Sequence, residues 1–331
     1  MKALITGVAG QDGTLLSQML TAEGHEVIGL VKPGSSTEAL VRYAPQVQVV
    51  ECDLGDPNRL EQLIIDVAPE QIYNFGGISS LVEAALHPEL THSVNVGSVE
   101  AILAAMKTLT SRSRGTSHTT RFVQAASGTV FEGTEVSPQD ERTPRCPITP
   151  YAIAKAQTLE LIDVARQQGL FATAAILYNH ESPLRGEGFV TRRITQAAAR
   201  IAAGLQDHLE LGNLDVARDW GWAPDYVRGM RAILDADTPH DYVLATGTSH
   251  ELTEFLALAF QAAGISDWES VVRTNADFRR HTDPTLLRGD SSRAYRELGW
   301  QHTKTFEQLA AAMVEYDRML VDDPRTLWHE H

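Results

Sequence analysis

The chain opens on a short apolar run, Ala3-Leu4-Ile5-Thr6, that passes into Gly7-Val8-Ala9-Gly10-Gln11-Asp12-Gly13 and then into a helix-forming stretch, Asp12 to Glu23. This strand, glycine turn and helix constrain the rest of the chain more than any other feature. Glycines in the spacing T-G-x-x-G-x-x-G let the backbone turn tightly and approach a pyrophosphate lying on a helix N-terminus, where unpaired amides favour negative charge. A glycine motif alone is weak, but here a strand precedes it and a helix follows, as the motif requires. Gly7, Gly10, Gln11, Asp12 and Gly13 are thus the first candidate ligand-contacting residues, and the ligand class is a dinucleotide.

The alternation continues downstream. Strands are predicted at Val27 to Val31, Val47 to Cys52, Gln71 to Asn74, Phe122 to Ala126 and Ala172 to Tyr178, with helices at Leu60 to Val67, Asn95 to Leu109 and Tyr151 to Gln168. Strand and helix in turn predict an α/β fold with a doubly wound parallel sheet of the Rossmann type. From about Glu181 the pattern breaks into loops rich in Gly, Arg and Pro with shorter helices, which predicts a smaller C-terminal substrate-binding lobe. The 331 residues divide on this reading into a nucleotide-binding domain over 1–180, with returning segments near 215–248, a substrate lobe over 181–321, and a loose tail over 322–331. Arg112 to Thr120, polar and Ser/Thr-rich, reads as a surface loop.

Charge and composition exclude several functions. A net charge of −15 argues against nucleic acid and anionic membrane as partners, since both demand a continuous basic face. No secretory signal or membrane-spanning stretch is visible, so the expected location is the cytoplasm. Cys52 and Cys146 lack metal-ligand spacing and read as reduced thiols, with no metal expected.

The second predicted strand ends at Val31-Lys32-Pro33-Gly34-Ser35-Ser36, where an NAD-selective site places an acid on the adenosine ribose. Lys32 and Ser35 stand there instead, so NADP is favoured over NAD; the alternative is a solvated surface lysine. Asp53 and Leu54, after the third strand, are placed to meet the adenine, unless Asp53 caps the following helix. Tyr151-Ala152-Ile153-Ala154-Lys155 starts a helix, which brings Tyr151 and Lys155 to one face. A cation near a phenol stabilises the phenolate, so Tyr151 becomes the candidate general base, with Lys155 acidifying it and Ser127 steadying the substrate hydroxyl.

Ser, then Y-x-x-x-K, behind T-G-x-x-G-x-x-G resembles the extended short-chain dehydrogenase/reductases. The runs Gly10-Gln11-Asp12-Gly13, Tyr73-Asn74-Phe75-Gly76, Asn179-His180-Glu181-Ser182-Pro183, Arg185-Gly186-Glu187, Leu211-Gly212-Asn213 and Arg218-Asp219-Trp220-Gly221 are similar to GDP-mannose 4,6-dehydratases. The resemblance implies a GDP-sugar substrate. It places Asn179, Arg185, Arg193, Arg218 and Arg280 on the nucleotide diphosphate, Val190 against the guanine, Asp283 on the nucleotide ribose and Ser79 by the hexose. It also implies a homodimer paired through the helices beginning near Asn95 and Tyr151.

Two departures bear on the reaction. Family dehydratases carry a glutamate two residues after a threonine that follows the catalytic strand, whereas this chain reads Ser127-Gly128-Thr129-Val130-Phe131, with Thr129 at the glutamate position. Removing a proton from C5 suits a carboxylate and not an alcohol of far higher pKa. Ser-x-Thr-Val before an aromatic is instead similar to nucleotide-sugar 4-epimerases, which need no second base. The second departure is Gly77-Ile78-Ser79-Ser80, which removes polar side chains where the sugar belongs and fits a larger or differently substituted sugar. The expected activity is a GDP-sugar 4-epimerase acting through a 4-keto sugar. The alternatives are a 4,6-dehydratase that recruits Glu132 or Glu187, and a non-catalytic dinucleotide sensor, which has no need of a tuned phenol.

Overall fold

A computed structural model describes residues 1–112, 119–275 and 287–328. The first half is built from strands β1 (Lys2–Thr6), β2 (Glu26–Val31), β3 (Gln48–Glu51), β4 (Gln71–Asn74), β5 (Arg121–Ser127) and β6 (Phe171–Leu177). With Tyr242–Leu244 they form a seven-stranded sheet, all parallel, in the order Tyr242–Leu244, β6, β5, β4, β1, β2, β3. The sheet is Rossmann-type, as the alternation of patterns predicts. β1 is central and its side chains alternate between faces: Ala3 and Ile5 enter one apolar cluster and Leu4 the other. Both faces being covered explains why β6 is buried along its whole length.

Helices α1 (Gln11–Ala22), α2 (Glu38–Tyr43), α3 (Pro57–Val67), α4 (Leu81–Leu86), α5 (Pro88–Asn95), α6 (Gly97–Arg112) and α7 (Pro150–Gln167) connect the strands. α3, α6 and α7 cover the face that Leu4, Ile72 and Phe122 enter. The predicted helix at Asn95 in fact starts at Gly97. Asn95 ends α5, and its side chain turns back to Ile78, accepting from its amide at 2.7 Å and donating to its carbonyl at 3.0 Å. Cys52 is buried one residue past β3, and Cys146 is exposed; both are free thiols.

Beyond β6 lie a short strand β7 (Asn179–Glu181), α8 (Val190–Ala202), α9 (Ala223–Asp235), α10 (Leu252–Ala262), α11 (Ser292–Leu298) and α12 (Phe306–Asp322). β7 stands outside the main sheet and pairs with the parallel strand Trp220–Trp222. α9 returns to the nucleotide half and packs beside α1. α8 and α12 are joined by a buried ion pair of Arg192 and Asp317. Among the described residues no helix is long and apolar enough to cross a membrane.

The end of the chain departs from the expected loose tail. The backbone amide of Trp328 donates to the Tyr43 hydroxyl at 3.1 Å, and its ring, 7% exposed, meets Trp222 edge-on at 5.6 Å. Arg42 donates to the Thr326 carbonyl at 2.6 Å, so the tail is fastened to α2. Removing a buried indole costs about 3 kcal/mol or more. Trp328→Ala should therefore lower the urea midpoint by that equivalent; an unchanged midpoint would mean that residues 323–328 contribute nothing to the fold.

Candidate active site

The order of strands reverses between β1 and β4, which opens a crevice at their carboxyl ends, the usual ligand position in such sheets. Gly7 lies there with φ +63°, and a Cβ on it would stand 2.7 Å from the Gly76 amide nitrogen. A Cβ on Gly13 would meet the Gly7 carbonyl and Val8 Cα at 2.5 Å. Neither position admits a side chain without moving backbone, so the turn stays bare beside the N-terminus of α1. That cradle fits the phosphates of a dinucleotide.

The turn forms part of one cavity of about 1010 Å³. Its lining includes Gly7, Gly10 and Gly13 after β1, Ser79 after β4, Ser127 and Thr129 at the end of β5, and Tyr151 and Lys155 on α7. Asn179, Arg185, Val190, Arg193 and Arg218 complete it from β7 onward. Residues as far apart in sequence as Gly7 and Arg218 thus line one cavity. Four candidates stand apart. Lys32 and Ser35 form a tight exposed turn after β2, the Ser35 amide donating to the Lys32 carbonyl at 3.0 Å. Asp53 accepts from the Gly55 amide at 2.9 Å, while helix α3 is capped by Asp56, and the Leu54 side chain packs over Gly76. Arg280 and Asp283 lie outside the described residues.

The catalytic candidates are held by short-range bonds. Thr149 caps α7 by accepting from the Ala152 amide, with Pro150 at the first helical position, which sets the face carrying Tyr151 and Lys155. Ser127 Oγ accepts from the Thr129 hydroxyl at 3.0 Å and from the Thr129 amide at 3.3 Å, which leaves the Ser127 proton for the phenol of Tyr151, a further hydrogen-bond partner. Burial pushes the Tyr151 phenol above its ordinary value, opposed by the Ser127 hydrogen bond and then by the charge of Arg185. Lys155 stands 5.8 Å from the centre of the Tyr151 ring and donates to the Ala125 carbonyl at 2.7 Å; burial pushes its ammonium down to about 8. Arg185, whose charge opposes the displacement of the phenol, thus joins Lys155 as a second cation near Tyr151.

Two carboxylates were candidates for a second base. Glu132 borders the cavity, but its carboxylate accepts from the Ile148 amide at 2.6 Å, from the Thr149 amide, and from the Thr149 hydroxyl at 3.4 Å. It serves as an anchor for the start of α7. Glu187 is exposed, receives Gln196 Nε2 at 3.2 Å and does not line the cavity.

Arg185 lies 3.5 Å over the Phe189 ring, its Nε 3.0 Å from Glu181, which also accepts the Thr191 hydroxyl at 2.7 Å. Arg193 donates to the Glu210 carbonyl at 2.8 Å and Arg218 to the Ala217 carbonyl at 2.7 Å. Three guanidinium groups around one cavity, in a chain of net charge −15, make a site for a compact anion with several oxygens. Two residues escaped the sequence reading: Glu181, buried beneath Arg185, and His180, whose Nε2 lies 3.0 Å from Asp12.

Comparison with known proteins agrees with this geometry. Residues 4–313 match the family model described as GDP-mannose 4,6 dehydratase. A GDP-mannose 4,6-dehydratase of Sinorhizobium fredii (strain HH103) is 37% identical over 341 residues, covering 95% of this chain and 96% of its own. GDP-mannose 4,6 dehydratase 2 of Arabidopsis thaliana is 37% identical over 336 residues, covering 98% and 89%. Among solved structures, UDP-glucose 4-epimerase of Bifidobacterium longum in complex with NAD+ and UDP superposes with a TM-score of 0.82 at 23% identity, covering 98% of this chain and 99% of its own. The cavity, its phenol and its arginines thus belong to a nucleotide-sugar enzyme of the extended short-chain dehydrogenase/reductases, and the chain is a member of the GDP-mannose 4,6-dehydratase family.

Proposed function

We propose that the chain is an NAD(P)-dependent GDP-sugar 4-epimerase that works through a transient 4-keto sugar. The observation that carries this reading is the hydroxyl of Thr129 hydrogen-bonded to Ser127 where a dehydratase of this family keeps a carboxylate, while Glu132 is spent on the amides of α7. A bound nicotinamide supplies the acceptor and later the donor of the C4 hydride. Tyr151 takes the proton from O4 and returns it, and Ser127 holds the same oxygen in line. Lys155, fixed by the Ala125 carbonyl at 2.7 Å, would help to hold the cofactor. Asn179, Arg185, Arg193, Arg218 and Arg280 bind the diphosphate, Val190 flanks the guanine, and Asp283 binds the nucleotide ribose. With no base at C5 the ring keeps its oxygen at C6, turns within the pocket and is reduced on its other face. The Gly77 to Ser80 loop, tied to Asn95, favours a larger or differently substituted sugar.

NADP is the favoured cofactor, because the Lys32 to Ser35 turn offers an ammonium and a hydroxyl at the end of β2; Gln11 and Asp12 frame the pyrophosphate turn, and Asp53 and Leu54 sit at the adenine end. The same reading takes the protein as cytoplasmic and as a homodimer paired through α6 and α7. A second reading, 4,6-dehydration with Glu132 as the C5 base, is favoured by the names of the relatives at 37% identity.

Incubation with GDP-mannose and related GDP-sugars in deuterated water separates the two. Epimerisation gives an isomeric product with no deuterium at carbon; deuterium at C5 with an accumulating keto sugar would establish dehydration and overturn the epimerase reading. Thr129→Glu, which adds the missing acid beside Ser127, should make solvent deuterium appear in the sugar. Tyr151→Phe should lower kcat by about 100-fold or more while NADPH still binds, because general acid-base assistance at such a centre contributes about that factor. No turnover by the wild-type protein, with Tyr151→Phe losing none of its biological function, would instead point to a non-catalytic dinucleotide sensor.

A further inference from the structure

His180 sits in the middle of β7 and is 7% exposed. Its Nδ1 lies 2.7 Å from the Tyr178 carbonyl and its Nε2 lies 3.0 Å from Asp12 Oδ2. A carbonyl and a carboxylate only accept, so both ring nitrogens carry protons and the ring is an imidazolium. Burial opposes that charge, yet the charge and hydrogen bond of Asp12 outweigh it, and the His180 pKa is displaced upward. Burial likewise works against the carboxylate, and His180 turns the balance so that Asp12 is displaced downward. The Tyr226 ring stacks on the imidazolium at 4.6 Å and holds its plane.

Around this pair the two segments are stitched further. Gln11 Nε2 donates to Asp12 Oδ1 and to the His180 carbonyl, each at 3.1 Å, and the Ser182 hydroxyl donates to Gln11 Oε1 at 2.8 Å. Gln11 and Asp12 begin α1 at the glycine turn, while His180 and Ser182 stand between Asn179 and Arg185. Among the described residues no strand ladder joins β7 to β1, and β7 pairs with Trp220–Trp222. Side chains therefore set its place against the turn. The pair also settles an electrostatic conflict, because a lone carboxylate in the first turn of a helix repels an anion bound at that N-terminus.

We propose that Asp12 and His180 are positioning residues that lock the cofactor turn to the nucleotide-sugar strand, so that NADPH and GDP each bind more tightly when the other is present. The inference rests on the reading of these two segments given above. Coupling of this kind is reciprocal by linkage.

The test measures binding, not turnover: NADPH by fluorescence and GDP by calorimetry, each alone and with the other saturating. The wild-type protein should show about five-fold or greater mutual tightening, within the usual range for coupled sites. His180→Gln should reduce the mutual effect below about two-fold and weaken NADPH alone by about ten-fold, because Asp12 is left unneutralised. Adding Asp12→Asn to His180→Gln should recover most of the NADPH affinity without recovering the coupling, an outcome that a purely structural role does not give. Ser182→Ala, which removes one stitch, should fold as the wild type does and lose at least half of the coupling factor, so a failure of His180→Gln to fold leaves the proposal open to refutation. Wild-type binding of both ligands without coupling, undiminished coupling in His180→Gln or Ser182→Ala, or a double variant weaker for NADPH than His180→Gln overturns the proposal and leaves the functional reading intact. If NADPH and GDP both fail to bind the wild-type protein, the functional reading fails and takes this inference with it.

Discussion

The contact between Gly7 and Gly76 decides where everything else in this molecule stands. With 2.7 Å between a would-be Cβ on Gly7 and the Gly76 amide nitrogen, the ends of β1 and β4 close on each other at the point where the sheet order reverses. Thr6 reinforces the closure: its hydroxyl accepts from the Gly76 amide at 2.9 Å and also bonds to Asn74, which donates to Gln124 at 2.6 Å. Gln124 in turn donates to the Ala125 carbonyl at 2.8 Å, the same oxygen that receives Lys155. A buried line of polar groups thus runs from the glycine turn across β4 and β5 to α7. Each member is satisfied, as a low-dielectric interior demands.

Much of this was legible in the sequence because two different periodicities coincide with it. Parallel strands buried on both faces read as unbroken apolar runs, and β4 agrees with its predicted limits at both ends. Tyr151 and Lys155 were legible because four residues make nearly one helical turn. The electrostatics were not. Spacing places the lysine beside the phenol, but it says nothing of the Ala125 carbonyl that claims the ammonium or of Arg185 arriving from after β7.

Other features were hidden for equally physical reasons. Asp12 and His180 are 168 positions apart, and no local pattern announces such a partner. Asn95 is a residue type that favours helix starts, yet here it ends α5 and spends its amide on Ile78. The tail after Asp322 carries Asp323, Pro324 and Arg325 before Trp328, so its composition resembles a solvated terminus, while a single indole and the carbonyls of Pro324 and Thr326 do the docking. Strands of two or three residues, such as Ala217–Arg218, are too short to show any alternation.

The phenol itself shows how the chain divides labour with its ligands. Burial raises Tyr151, and the two groups that oppose this, Ser127 and Arg185, do not overcome it, since the net displacement remains upward. Lys155 stands 5.8 Å from the ring centre, carries its charge against the cost of burial and donates to the Ala125 carbonyl. With the chain's groups alone the phenol is therefore displaced above its ordinary value. Positive charge added beside the phenol would offset that displacement, since a nearby opposite charge favours the ionised form. A site that holds its phenol back in this way is protected against idle proton transfer. Arg185, whose charge opposes the displacement, comes from the segment after β7 and lines the same cavity as Ser127 and Tyr151, so the placement of that one segment bears on the phenol.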